Sequence, residues 1–539
     1  MKIRKQTFSL DQYLKLMKAE TIRNFTDKTK EVTFMFKPES WQSHDEYRTI
    51  VATIGHRLSR NNPKYSFNEY DEERQKLLNL NLDPLLDYIP AFYSKGGRPA
   101  EHQAQILRSL ILFVLLFNKS KARTSLTLWV REVLPKSISL AVLIGCASLE
   151  ELPPLGSYYD FMNRFWTDPR KPYSRTALLP AGRNGKKPKK LIGADGKLAE
   201  PEDPCMVTAK DIVNDILDGK PAADNPEAAL QKIFSILAVL PSIRLGLIDT
   251  QNLTLSGDGT AVVSHSSPYG RHLSSCGKDC PYRDGCGRHY SDPDATWGWD
   301  SDNKTWYFGH TLYMLCARNN TLKVELPLLM KFTDARRHDS KNFLYSMDDF
   351  GRNAFGISPK NVCLDSAHDN LPTYELLEHW DINALIDING RAKSSGNAPD
   401  GITFDKSGHP ICPAGHEMCP WGNDPIKDAH KYRCPLRCGR ISSCANEAAC
   451  SPGSYGRTVY VKNHADLRFH PRIPRDSEEY RRIYSERTAC ERINDRVLND
   501  YCLQNLKIRG RNHFSFWGML IGICIHLDAR YKVARLYAA

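Results

Sequence analysis

Between Leu77 and Trp166 apolar residues recur at three- and four-residue intervals, the spacing that lines one face of an α-helix. The clearest runs are Ile106-Leu107-Arg108-Ser109-Leu110-Ile111-Leu112 and Thr124-Ser125-Leu126-Thr127-Leu128-Trp129-Val130, with Gly97-Arg98-Pro99 placed as a helix start. The pattern predicts a helical domain over 77–166, after a polar region, 1–76, that has no strong period. Residues 167–225 change character: Pro169-Arg170-Lys171-Pro172 and Arg183-Asn184-Gly185-Lys186-Lys187-Pro188-Lys189-Lys190 carry few large apolar side chains and read as a basic linker or arm.

From about Ile248 the period becomes that of strands. Leu253–Asp258, Tyr307–Cys316, Val324–Met330, Asn361–Asp365 and Asn383–Ile388 are strand candidates. Phe343–Phe350 reads as a helix approached through His338-Asp339-Ser340, with Asp339 or Ser340 as its cap. Strands interrupted by helices predict an α/β fold, a mixed sheet flanked by helices. This domain occupies 226–375 and 471–539, and 376–470 holds a further strand and a cysteine-rich insertion. Phe514–Leu527, apolar and of helix length, is expected as a core helix behind the sheet.

Charge changes the picture. Lys and Arg number 74 against 62 Asp and Glu, a net +12 over 539 residues, which suits a polyanionic partner because phosphate neutralisation releases counterions. No long apolar run follows Met1-Lys2-Ile3-Arg4-Lys5, and Ile106–Phe117 falls short of the roughly 20 residues that span a bilayer. The expectation is a cytoplasmic protein with no membrane segment.

In such a compartment, 16 cysteines imply metal more readily than disulfides. One cluster is Cys276, Cys280, Cys286 and His289; the other is Cys434, Cys438, Cys444 and Cys450, with Cys412, His416 and Cys419 as competing ligands. Either foursome has the thiolate and imidazole donors that hold zinc tetrahedrally. Small buried thiols are the alternative for both.

The acids are more pointed. Asp258 and Asp365 each sit at the carboxyl end of an apolar strand, where open α/β sheets place their ligand sites. Glu491 lies on the helical segment Tyr484–Val497. Three carboxylates gathered from sheet and helix would repel one another unless a hard divalent cation, magnesium or manganese, supplied the counter-charge. Two such ions can stabilise the attacking and leaving oxygens of an in-line phosphoryl displacement.

These residues stand in a pattern that resembles the DDE-type transposases of bacterial insertion sequences. Asp258-Gly259-Thr260 resembles the turn of that family's first Asp, and Tyr307-Phe308-Gly309-His310 approximates its second strand. Pro327-Leu328 followed by Thr333-Asp334-Ala335 and His338-Asp339-Ser340 is similar to its next conserved stretch, and Leu364-Asp365-Ser366 to its second Asp. Tyr484, Arg487 and Glu491 fit the Tyr-x2-Arg-x3-Glu part of its last motif. The Lys that closes that motif would fall at Leu498, so its phosphate-contacting role is vacant or taken by Arg492, Arg496 or Lys507. The resemblance covers roughly 80–166 and 250–528.

The resemblance implies a ribonuclease-H-like catalytic domain, a helical DNA-binding region over 77–166 and a catalytic triad of Asp258, Asp365 and Glu491 holding magnesium or manganese. It further implies Tyr484 and Arg487 as phosphate-positioning groups and double-stranded DNA, element ends and target, as the partner of a homodimer. Trp421, Tyr432, Tyr455 and Tyr460 of the insertion are candidates for stacking on an unpaired base, with core packing as the alternative. Two rival functions share these features: a non-catalytic, zinc-stabilised DNA-binding protein, and a nuclease of the same fold that cuts without joining.

Overall fold

The computed structural model describes residues 34–61, 67–117, 125–167, 207–268, 291–389 and 401–538, apart from a few isolated positions, with short strand pairs at 191–199 and 271–289. The central sheet begins with a meander of three antiparallel strands, β1 (Thr254–Val263), β3 (Thr305–Asn319) and β4 (Val324–Asp334), with β2 (Thr296–Asp300) paired to the start of β3. Two short parallel strands, β5 (Asn361–Leu364) and β6 (Asn383–Ile386), extend the other side of β1, giving the order β4-β3-β1-β5-β6. Leu312 to Cys316 of β3 and all of β5 are buried. Such unbroken apolar runs belong to strands covered on both faces.

The cover comes from helices on either side. Helix α4 (Asp339–Asn353) packs on one face of β1 and β3. Helices α7 (Thr488–Asp495) and α8 (Arg511–Ala538) pack on the other, where Cys490 meets Cys316 and Gly518 lies against Phe332. A Cβ on Gly518 would stand 2.6 Å from the Phe332 ring, and one on Gly522 2.7 Å from Phe234, so the two glycines let α8 lie close to its neighbours. Phe516, Leu520, Ile523, Cys524 and Ile525 of α8 are fully buried, as expected for a core helix.

The helical N-terminal region joins this same core rather than forming a separate one. Helix α2 (Gln103–Phe117) packs directly on α8: Phe113 contacts Trp517 at 5.4 Å between ring centres, and the Cys524 thiol faces the Ile111 carbonyl at 3.8 Å. Residues 103–115 of α2 are all buried. Arg108, also buried, stacks on Tyr47 at 4.0 Å and donates to Gln42 at 2.5 Å.

Several helices lie where the sequence pattern predicted none, two of them in segments read as polar or as linker. Helix α1 (His44–Asn61) occupies the polar N-terminal region and contributes Tyr47 and Val51 to the core. Helix α3 (Ala209–Leu217) lies within the expected linker and is capped reciprocally by Thr208 and Asp211. The Arg183–Lys190 arm is outside the described residues.

The insertion carries its own antiparallel sheet, β7 (Cys419–Asp424), β8 (Ala429–Arg433) and β9 (Thr458–Lys462), around a small core of Ile402, Met418, Tyr432, Val459 and Val461. On the return, Arg468 forks onto Asp369 at 3.1 and 3.0 Å, Arg472 onto Glu378 at 2.8 Å, and Arg475 donates to the Ile386 carbonyl at 2.9 Å. Among the described residues no helix is long and apolar enough to cross a membrane.

Candidate active site

β1 and β5 last pair at Ser256 and Cys363, so Asp258 and Asp365 each stand two residues beyond the same rung of the sheet. β1 runs on past that point while β5 turns away into the loop Asp365-Ser366-Ala367-His368. The edge of β1 at Asp258 is therefore uncovered by a strand on that side. Helix α7 crosses β1 and β3 here and carries Glu491 and, one turn on, Asn494. The Asn494 amide donates to Asp258 Oδ2 at 3.0 Å, and the Gly259 N–H to Asp258 Oδ1 at 3.0 Å.

Asp258 lies within electrostatic reach of the other two acids. Burial, and then the charges of Asp339, Asp365 and Glu491, push Asp258 up to about 7, against a smaller opposing pull from His368. Burial also disfavours the charged form of Asp365, but His368, the Ala367 N–H and Arg487 outweigh it and hold that carboxyl below its usual range. His368 is fully buried and bridges two groups, its Nδ1 facing Asp365 Oδ1 at 2.5 Å and its Nε2 facing the Tyr313 hydroxyl at 2.8 Å. Glu491 is half exposed and pairs with Arg487 at 2.8 Å.

The other residues anticipated around the triad divide. Tyr484 donates its hydroxyl to the Leu364 carbonyl at 3.1 Å and stacks on Tyr480, which braces the strand leading to Asp365. Arg487 lies one turn before Glu491 on the same helical face. Arg492 and Arg496 depart from expectation: Arg492 forks onto Glu325 at 2.9 Å, and Arg496 pairs with Asp528 at 3.2 Å. The cause is helical period. At about 100° per residue, positions 492 and 496 turn well away from the face shared by 487, 491 and 494. Lys507 is exposed in the loop before α8.

Three site residues were not anticipated: Asn494, His368 and Asp339. The first two lie three residues after Glu491 and Asp365, a spacing that was available in the sequence. The sequence offers Asp339 or Ser340 as the cap of α4. The Asp339 carboxylate lies against Gly259, where an added Cβ would be 2.3 Å from Asp339 Oδ1. Burial raises the Asp339 pKa, with Asp365 adding to it and His368, Asn342 and His338 opposing.

Among the described residues no three His, Cys, Asp or Glu side chains form a ready-made metal cage. That holds alike for the Cys434, Cys438, Cys444 and Cys450 set expected to bind zinc and for Asp258, Asp365 and Glu491. Cys419 pairs opposite Arg433 and its thiol lies by Cys438, while Cys412, His416, Cys434, Cys444 and Cys450 line one small cavity of the insertion. Cys276, Cys280 and Cys286 lie outside the described residues, and only the backbone of His289 is placed, in a two-residue strand. Magnesium needs no closed protein cage, since it binds one or two carboxylates and keeps water and substrate oxygens. Asp258, desolvated and not hydrogen-bonded by a Lys or Arg among the described residues, fits such a cation.

In the insertion, Tyr432 is buried, as core packing required, whereas Trp421 and Tyr455 are 46% and 43% exposed. The Arg433 guanidinium sits over both rings, at 4.5 and 3.9 Å, and Lys427 over Tyr460 at 3.6 Å.

No curated protein matches the chain. The transposase DDE domain family matches residues 242–527, a span that starts before β1, takes in the whole insertion and ends within α8. That span is more than half of the chain and contains all three acids, and the chain belongs to the DDE transposase family.

Proposed function

We propose that this protein cuts DNA at the ends of an insertion sequence and joins the freed 3′-hydroxyl to target DNA, using Asp258, Asp365 and Glu491 to hold magnesium or manganese. The observation that carries the reading is the state of Asp258. It is desolvated at the open edge of β1 and faces the negative charge of Asp365 and Glu491 from two other elements. A protein that only bound DNA would gain nothing from such an arrangement, which destabilises it until a cation arrives. The sheet order β4-β3-β1-β5-β6, three antiparallel strands then two parallel, supports a ribonuclease-H-like domain.

When bound, divalent metal would activate the attacking hydroxyl and stabilise charge on the leaving oxygen. The protein's own groups supply orientation. Asn494 fixes one oxygen of Asp258 and the Gly259 N–H the other, so the carboxylate cannot swing. His368, backed by Tyr313, fixes Asp365 in the same way. Arg487 pairs with Glu491 and is half-buried near Asp258, where its fork can turn to a DNA phosphate once metal neutralises the acids. Exposed Lys507 suits the phosphate backbone.

The test is cleavage of a duplex carrying the element end. Asp258→Ala, Asp365→Ala and Glu491→Ala should each abolish nicking while binding of the duplex persists; normal nicking by any one of them ends the triad assignment. A plasmid strand-transfer assay with the wild type then separates the readings, because a nuclease of this fold would cut without joining.

A further inference from the structure

We propose that the outer face of the β7–β9 sheet is a phosphate-binding surface for duplex DNA, built from Lys427, Lys431 and Arg433 held in place by aromatic rings. The inference rests on the DNA reading above and gives it a surface outside the candidate active site.

Successive residues of a strand face opposite sides, and residues paired across two strands share a side. Tyr432 and Val459 are such a pair and turn inward, with Val461, to the insertion's own core. Lys431, paired with Tyr460, and Arg433, paired with Thr458, therefore turn outward. The register of β7 on β8 shifts between Pro420 and Asn423, and Trp421 stands within that bulge.

On the outer side rings and cations alternate in one row. Trp421 and Tyr455 flank Arg433, whose guanidinium lies 4.5 and 3.9 Å from their ring centres. Lys431 donates to the Tyr455 hydroxyl at 2.9 Å and lies 4.9 Å from that ring and 5.9 Å from the ring of Tyr460. Lys427 closes the row, 3.6 Å over Tyr460.

Charge identifies the partner. Among the described residues none of these three cations meets a carboxylate. Elsewhere in the insertion Arg437 pairs with Glu447 at 2.9 Å and Arg440 with Glu417 at 3.6 Å. Asp424, at the end of β7, instead accepts from the Ile426 and Lys427 N–H groups at 3.1 Å. A contact with a ring leaves the full positive charge in place, so the face offers its cations to a polyanion. The rings also restrain long side chains that would otherwise lose rotamer freedom on binding. The sides of Tyr455 and Tyr460 turned to the row are taken by cations, so phosphate rather than a stacked base is the group this surface accepts.

The experiment measures the affinity of the full chain for a mixed-sequence duplex, and for one of its strands alone, between about 50 and 200 mM salt. Replacing Lys427, Lys431 and Arg433 together by Met keeps their stems over the rings and removes the charge. The slope of log affinity for the duplex against log salt should become shallower by about one for each charge removed, roughly three in all. Lys427→Met alone, at the exposed turn, should change it by about one, and carries the test should the triple variant melt below the wild type. Arg437→Met, whose charge Glu447 already balances, should leave the slope as it is. A wild-type slope in the folded Lys427, Lys431 and Arg433 variants overturns the surface, while the catalytic reading stands on its nicking assay. Tighter wild-type binding to the single strand, lost in Trp421→Leu, makes the face a base-stacking platform and also overturns the proposal. Failure of the wild type to bind the duplex at all removes both this surface and the DNA reading beneath it.

Discussion

Asn494 reaches across 236 residues of sequence to hold the Asp258 carboxylate, one helical turn after the glutamate of the same site. Helix α7 thus carries both a candidate metal ligand and the group that aims another. A hydrogen bond to a charged group contributes about 1.5–3 kcal/mol. If that energy is used to keep Asp258 in its reactive orientation, Asn494→Ala should slow cleavage of end DNA by roughly 10- to 100-fold. Duplex binding should be unchanged. Asn494→Asp, which would add a carboxylate beside Asp258, should be slower still at low metal and recover partly as metal is raised. Wild-type rates for Asn494→Ala would reduce the contact to packing.

Gly259 is the second position where geometry sets a limit. Its φ is not in the left-handed region, so alanine costs nothing in backbone conformation; what it meets is the Asp339 carboxylate. Gly259→Ala should force that carboxylate aside, with an overpacking cost of about 1–3 kcal/mol and loss of most cleavage. Adding Asp339→Ser should return the melting temperature toward wild type. A fully active Gly259→Ala would mean that Asp339 sits elsewhere in the working enzyme.

The pH dependence has a definite sign. Burial and neighbouring charge push Asp258 up to about 7 from the usual 3.8, so the folded, metal-free chain keeps a proton that the unfolded chain has released. With fewer protons on the unfolded side, this group's contribution to stability falls as pH rises from about 4 to 7. His526 works the other way: burial, then Arg530, push it down to about 3, so its contribution is lost as pH falls below 6.5. A raw melting profile mixes the two, but the shift produced by Mn2+ isolates Asp258, since metal and proton compete there. That shift, a few degrees at saturation, should be larger at pH 8 than at pH 5.5 and should vanish in Asp258→Asn. A shift that shrinks with rising pH would contradict the assignment.

The three acids proposed as a triad stand out in the sequence because each has a local signal. Asp365 follows an apolar strand as expected, whereas Asp258, expected at a strand end, lies in the middle of β1, and Arg487 and Glu491 share one helical face. What was not legible depends on pairing between distant segments. Asp339 follows His338 and precedes Ser340, a run that reads as a cap until β1 is known to offer a glycine opposite it. The approach of Cys419 to Cys438 is of the same kind, because the β7–β8 register decides it. Arg492 and Arg496 were a different kind of miss: helical period alone directs them away from Glu491. The helices α1 and α3 escaped because their exposed faces are polar, although the Thr208–Asp211 spacing marks a capping box within the supposed linker.

The insertion is fastened to the site through Arg468. Asp369 closes the loop that begins at Asp365, its side chain is fully buried, and it accepts from Arg468 and from the Asn389 N–H at 2.8 Å. Removing one partner of a buried pair leaves the other desolvated and unpaired, at a cost of about 3–5 kcal/mol. Arg468→Met should therefore lower the melting temperature and, by loosening the Asp365–Asp369 loop that carries His368, lower cleavage as well. The small β7–β9 sheet has its own core and should stay folded, so any new protease-sensitive site should lie near Arg468 rather than within the sheet. The double variant Arg468→Met, Asp369→Asn removes the stranded charge and should recover much of the stability, with activity following only as far as the loop regains its shape. Equal stability in Arg468→Met and the wild type would show that the insertion is held by other contacts, Arg472 with Glu378 foremost among them.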